Sequence, residues 1–191
     1  MKAVAAILFA VILGLSGCPW FDRPRPEPVL PEPTAEGAGT FGCRVNGRAW
    51  VPRRPIFPTL QPLYFRYDSA SDYFSIDAYV IVRRDSTDQE INIYVEAPLR
   101  GDTIWLGPYI ETWGRHKTRD ASFSDRQLDE TYYTWQDNGI TFSGYVHITS
   151  LHLQRDSLTR YIAGTFAFTA RTKDSTQYVE ITDGRFDVPV W

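Results

Sequence analysis

From Thr40 onward the apolar residues recur every second position. Phe74, Ile76, Ala78, Val80 and Val82 alternate with Ser75, Asp77 and Tyr79. Ile91, Ile93, Val95 and Ala97 alternate with Asn92, Tyr94 and Glu96. Successive side chains of a strand point to opposite faces, so each run describes a strand with one buried face. Ile140, Phe142, Val146 and Ile148 continue the pattern, as do Ile162, Gly164, Phe166 and Phe168. Val179 with Ile181, and Phe186, Val188 and Val190, close it, and 63–67 is a further short strand.

The sharpest local signal is Asn46-Gly47 between Phe41–Val45 and Arg48–Val51. A two-residue type I′ turn needs positive φ twice, which Asn-Gly supplies. That turn pairs Val45 with Arg48 and Cys43 with Trp50, and puts Cys43 on the face of Phe41 and Trp50. Turn chemistry at 69–72, 84–88, Asp137-Asn138-Gly139 and Asp183-Gly184 marks breaks between strands. Ser124 with Gln127 resembles a capping box and predicts one or two helical turns over 125–130. The expectation is an all-β chain: a single antiparallel β-sandwich or barrel-like domain. Periodicity does not choose between the two.

The first residues follow another pattern. Lys2 precedes an almost unbroken apolar run, Ala3–Leu15, which is too short to span a bilayer as a mature helix. The run ends in Leu15-Ser16-Gly17-Cys18. This resembles the bacterial lipobox, whose cysteine takes a thioether-linked diacylglycerol and becomes the first mature residue. Pro19, Pro24, Pro26, Pro28, Pro31 and Pro33 follow, with Glu36-Gly37-Ala38-Gly39 closing the stretch. Proline fixes φ and removes donors, so an extended spacer is expected. The organisation is therefore a lipoprotein signal peptide at 1–17, a lipidated Cys18 and Pro-rich linker at 18–39, and a β domain at 40–191. By resemblance to lipoprotein sorting, Pro19 after the cysteine points to the outer membrane. The lack of an acidic cluster after it favours the periplasmic side over the cell surface.

Composition narrows the function classes. Twenty Lys and Arg against 23 Asp and Glu give a net charge of −3, so a nucleic-acid footprint, which needs a basic patch, is not expected. Two cysteines and three histidines leave little for a disulfide framework or a metal site. No cofactor is implied. Aromatic residues make up 15% of the chain and suit strands.

Thr40-Phe41-Gly42-Cys43-Arg44-Val45-Asn46-Gly47-Arg48-Ala49-Trp50-Val51-Pro52 resembles the opening of a family of uncharacterised lipoproteins from Bacteroidetes and relatives. Ala163–Ala170 and Val179–Val188 are similar to that family's carboxyl end. The resemblance implies a lipoprotein and a β domain, and carries no activity.

Candidate chemistry is sparse. Cys43 reads as a small buried hydrophobe rather than a nucleophile. His147 and His152, five apart, fall on opposite faces of one strand unless a turn near Ser150 intervenes. Asp77 and Glu96 share the solvated face and form the nearest approach to an acid–base pair. The unusual stretch is 105–135, where Trp105, Tyr109, Trp113, Phe123, Tyr132, Tyr133 and Trp135 sit among Gly107, Pro108 and Gly114. Trp105, Tyr109, Trp113, Tyr132, Tyr133 and Trp135 are the candidate ligand surface; the bland alternative is a loop burying its own aromatics. The expected function is a non-catalytic binding or envelope-assembly module. It would be held to the outer membrane through Cys18 and would contact a glycan, a peptide or an envelope protein. The alternative is a cell-envelope hydrolase with a cryptic carboxylate site.

Overall fold

The computed structural model describes residues 27–53, 61–68, 73–82, 87–96, 101–106, 110–112, 115–117, 119–126, 128–134, 143–153 and 160–190. Among these the chain forms thirteen strands and no helix. They are β1 (Thr40–Val45), β2 (Arg48–Trp50), β3 (Leu63–Asp68), β4 (Tyr73–Val82), β5 (Thr87–Glu96), β6 (Thr103–Leu106), β7 (Ile110–Thr112), β8 (Arg115–Lys117), β9 (Arg119–Asp125), β10 (Glu130–Tyr133), β11 (Gly144–His152), β12 (Tyr161–Arg171) and β13 (Tyr178–Pro189).

Eleven strands make one antiparallel sheet in the order β2-β1-β13-β12-β10-β9-β5-β4-β3, curled into a half-barrel. β12 forks it: one edge pairs with β13, and the other holds β11 along most of its length and β10 at Arg171. β6 extends the β11 branch, and β7 with β8 forms a separate hairpin. The concave side carries the apolar set that the alternation indicates, including Phe74, Ile76, Ile91, Ile93, Phe166 and Val188.

The β1–β2 turn is as expected. Asn46 and Gly47 have φ of 47° and 79°, and Cys43 faces Trp50. Two expectations are corrected. The described residues of 125–130 are not helical: β9 runs to Asp125, β10 begins at Glu130, and Leu128 N donates to Asp125 O at 3.2 Å. Ser124 lies opposite Thr131 in that hairpin and donates to its hydroxyl at 3.3 Å, so it caps nothing. Asp183-Gly184 is not a break between strands either. It lies inside continuous β13 as a bulge, with Asp183 at φ 52°. The extra residue switches the inward parity from odd (Val179, Ile181) to even (Phe186, Val188).

Beyond the bulge the core closes through reciprocal pairs. Gly164 lies opposite Phe186, and Phe166 opposite Gly184. Each ring lies over the partner glycine: a Cβ on Gly184 would stand 2.5 Å from Phe166 Cδ2, and one on Gly164 2.7 Å from Phe186 Cζ. Glycine is required there by close approach rather than by φ.

The last part of the segment expected to be spacer is docked on the domain. Asp187, on the convex face of β13 and only 1% exposed, accepts from Thr34 Oγ1 (2.6 Å), Glu36 N (3.0 Å), Gly37 N (2.7 Å) and Ala38 N (3.2 Å). Arg185 Nη1 donates to Pro31 O at 3.1 Å. Cys18 and the signal segment lie outside the described residues.

Candidate functional site

At one end of the half-barrel the inward positions of β5, β9 and β10 turn polar. Gln89 shares the parity of the inward series Ile91, Ile93 and Val95 on β5. Asp125 ends the series of β9 after Ala121 and Phe123. Register places Val80, Gln89, Asp125 and Glu130 in one row across β4, β5, β9 and β10. Arg48 precedes Trp50 on the same face of β2.

These polar groups are organised. Trp50 Nε1 donates to Gln89 Oε1 at 3.0 Å, and Gln89 Nε2 donates to Asp125 Oδ2 at 2.8 Å. An indole only donates and a carboxylate only accepts, so the Gln89 amide has one orientation that satisfies both neighbours. Asp125 is 8% exposed, a burial tolerated because the carboxylate is hydrogen-bonded. The relay joins β2 to β5 and β9 across the concave side.

The relay borders an open groove of about 690 Å³, a size usual for small-molecule sites. Val45, Val80, Phe123 and Val179 supply apolar walls. Leu128 (62% exposed) and Tyr178 (67% exposed) also line it, as do Arg48 and Arg53. Tyr132 forms part of the wall, and its hydroxyl donates to Gln177 Oε1 at 3.2 Å.

The expected aromatic surface divides. Tyr132 is buried, with its ring centroid 6.0 Å from that of Phe123, and enters the groove. Tyr133, the next residue along β10, takes the opposite face, in line with Ser122 and Arg171. Trp105 stands on β6, 52% exposed and edge-on to Tyr145, away from the groove. Tyr109, Trp113 and Trp135 lie outside the described residues. The stretch is not one loop, because β9 and β10 carry its centre into the sheet. Trp50, Gln89, Asp125 and Arg48 were not among the expected site residues. The available signal was a polar residue at the end of an inward series.

The remaining candidates have local roles. Cys43 is fully buried, and burial pushes its thiol well above the ordinary range, which suppresses the nucleophilic thiolate. A bulge between Ile148 and Ser150 places His147 opposite Thr165 and His152 opposite Tyr161. The two histidines thus share a face, one strand repeat further apart than metal ligands stand. His147 Nδ1 lies 3.1 Å from Thr103 Oγ1, and His152 stacks on Tyr161. Asp77 on β4 lies opposite Asn92, and Glu96 on β5 lies opposite Tyr73, which leaves these carboxylates four positions apart along the β4–β5 ladder. Asp77 accepts from Tyr94 Oη at 3.3 Å; burial raises its pKa, and the tyrosine opposes that shift.

On the same convex face, burial pushes Asp120 up to about 6. A carboxylate raised in the folded state costs stability as pH rises from its ordinary value to the raised one. Asp120→Asn is therefore expected to stabilise the protein at pH 7 by about 1 kcal/mol, a figure reduced for the hydration the group retains. The gain should vanish below about pH 4, where both side chains are neutral. Urea melts across pH test this; a gain independent of pH would show that Asp120 is not the titrating group.

Fold and site together define an all-β half-barrel with a polar-floored mouth. Residues 67–189, well over half the chain, match the family model described as Domain of unknown function (DUF6252), and the chain belongs to that family. The match takes in the closing stretch around Val179–Val188 and begins after the Thr40–Pro52 opening. No curated protein and no solved structure gives a significant match.

Proposed function

We propose that this chain is an outer-membrane lipoprotein, anchored through Cys18, whose half-barrel is a non-catalytic binding module with its ligand at the mouth. The observation that carries the reading is the Trp50–Gln89–Asp125 relay, set at inward positions beside an open groove. Polar groups at inward positions destabilise a core unless they are matched, and these are matched and rigid, as recognition requires. An acid–base mechanism needs two proton-transfer groups positioned across a reacting bond. The relay joins Asp125 to a neutral amide and an indole, and the second carboxylate of the row, Glu130, is its direct neighbour on β10 rather than a group across a cleft from it. The lipobox-like Leu15–Cys18 supports the anchor, and the docked arm that ends at Gly39 leads from it to the domain.

A glycan and peptide array probed with the protein tests the binding role. Tyr178→Ala removes an exposed ring from the mouth, so the melting temperature should stay within a few degrees while array binding falls about tenfold, or 1.4 kcal/mol. Undiminished binding by Tyr178→Ala and by Arg48→Ala would move the ligand away from the mouth. For the anchor, Cys18→Ala should abolish lipid processing. A variant still processed and still partitioning into detergent like the wild type would remove the lipid from Cys18.

A further inference from the structure

We infer that the mouth takes an anionic sugar chain, a glycan bearing carboxylates, with the acid groups on Arg48 and Arg53; this rests on the mouth being the binding site. The charge distribution carries the inference. The whole chain is acidic, with a net charge of −3, yet two guanidiniums line this groove. Arg44, nearby on β1, is neutralised by Asp183 at 2.9 Å. Arg48 and Arg53 form no ion pair among the described residues. Among the described residues the lining holds one carboxylate, Asp125, which is buried and accepts from Gln89, and Glu130 stands beside it in the same row of the sheet. The lining thus carries two guanidiniums against one carboxylate, a local balance opposite in sign to that of the whole chain. A guanidinium fork matches a carboxylate bidentately, which suits Arg rather than Lys to this role.

The rest of the lining favours a sugar over a peptide. An extended peptide is usually held by main-chain bonds to an open strand edge. Edge strand β2 borders the mouth and leaves such bonds open to an acidic peptide, whereas the side chains that line the groove suit a sugar. Tyr178 and Leu128 offer exposed apolar surface, on which the C–H face of a sugar ring stacks. Gln89 and Asn46 bring amides that match hydroxyl groups. Asn46 Oδ1 already accepts from Glu180 N at 2.9 Å, which fixes the amide and directs its NH₂ elsewhere.

Calorimetric titration of the intact protein with oligogalacturonate tests this, beside an uncharged oligosaccharide of the same length and polyglutamate. Oligogalacturonate should bind. Its affinity should fall at least about tenfold in the Arg48→Gln/Arg53→Gln double variant, and also when salt is raised from about 0.05 to about 0.5 M. The melting temperature of the variant should be unchanged. Equal binding of the uncharged oligosaccharide, lost on Tyr178→Ala, would overturn the anionic class and leave the mouth as the site. Binding of polyglutamate alone would replace the sugar by an acidic peptide. Binding of oligogalacturonate that ignores both the arginines and Tyr178 would overturn this inference and the mouth together, and so would binding of none of the three probes.

Discussion

Phe166→Ala is expected to cost about 3–5 kcal/mol, a large share of the roughly 5–15 kcal/mol that holds a typical domain folded. The ring is 1% exposed and stacks on Phe41 at a centroid distance of 5.1 Å. It also meets Phe168 at 6.2 Å and Phe186 at 6.4 Å, and covers Gly184. Truncation removes the transfer energy of the ring and leaves a cavity bounded by strands, whose backbone cannot collapse into it without breaking ladder hydrogen bonds. The β1, β12 and β13 contacts meet at this ring, so one cavity weakens three strands at once. Tyr79→Ala, on the convex face of β4 and edge-on to Tyr64, should cost much less. Urea denaturation of both variants checks the contrast. Equal losses would mean that the two faces of the sheet are equally covered.

That contrast was readable from the alternation alone. The inward sets of β4, β5 and β12 follow from period two, because one solvated face forces a polar residue at every second position. The β1–β2 hairpin was readable for a different reason: few dipeptides tolerate positive φ twice. The closing part of β13 misled because Asp183-Gly184 has the chemistry of both a turn and a bulge. Only the change of inward parity between Ile181 and Phe186 separates the two, and that change is visible in the sequence. β9 was hidden by its small residues: Ala121 and Phe123 alternate with Ser122 and Ser124, a weak apolar signal among strong aromatics. A helix cap competed with it, and strand pairing to β5 and β10 prevailed.

The candidate site was less legible than the fold. Gln89 and Asp125 are ordinary surface residue types, and 36 positions separate them. Only the sheet order, which sets β5 beside β9, brings them together. The aromatic stretch drew attention by composition, but side-chain direction along strands disperses it. Tyr132 and Tyr133, adjacent in sequence, face opposite ways. Aromatic density reports how much apolar area a segment must place, whereas polar residues at inward positions report where packing was given up for another purpose.

Asp187→Ala is the second large effect expected, on the order of 3 kcal/mol, through loss of the docked arm. The side chain accepts from one hydroxyl and three backbone amides, all contributed by residues 34–38. Burial alone would raise its pKa; the donated bonds outweigh that and hold the carboxyl below its ordinary value. A carboxylate depressed in the folded state stabilises at every pH above its unfolded pKa. That contribution is lost as pH falls through the folded value. The difference between wild type and Asp187→Ala should thus be constant at neutral pH and shrink only below about pH 4. Alanine leaves the amides of Glu36, Gly37 and Ala38 without their acceptor, so they should exchange with solvent far faster than in the wild type. The segment around Thr34 should also become the first site of limited proteolysis, while the amides of Phe166 and Val188 stay protected. If the amides of Glu36, Gly37 and Ala38 remained as slow in the variant, the arm would be held by the Pro31 contacts on Gly42 and Arg185 rather than by the carboxylate.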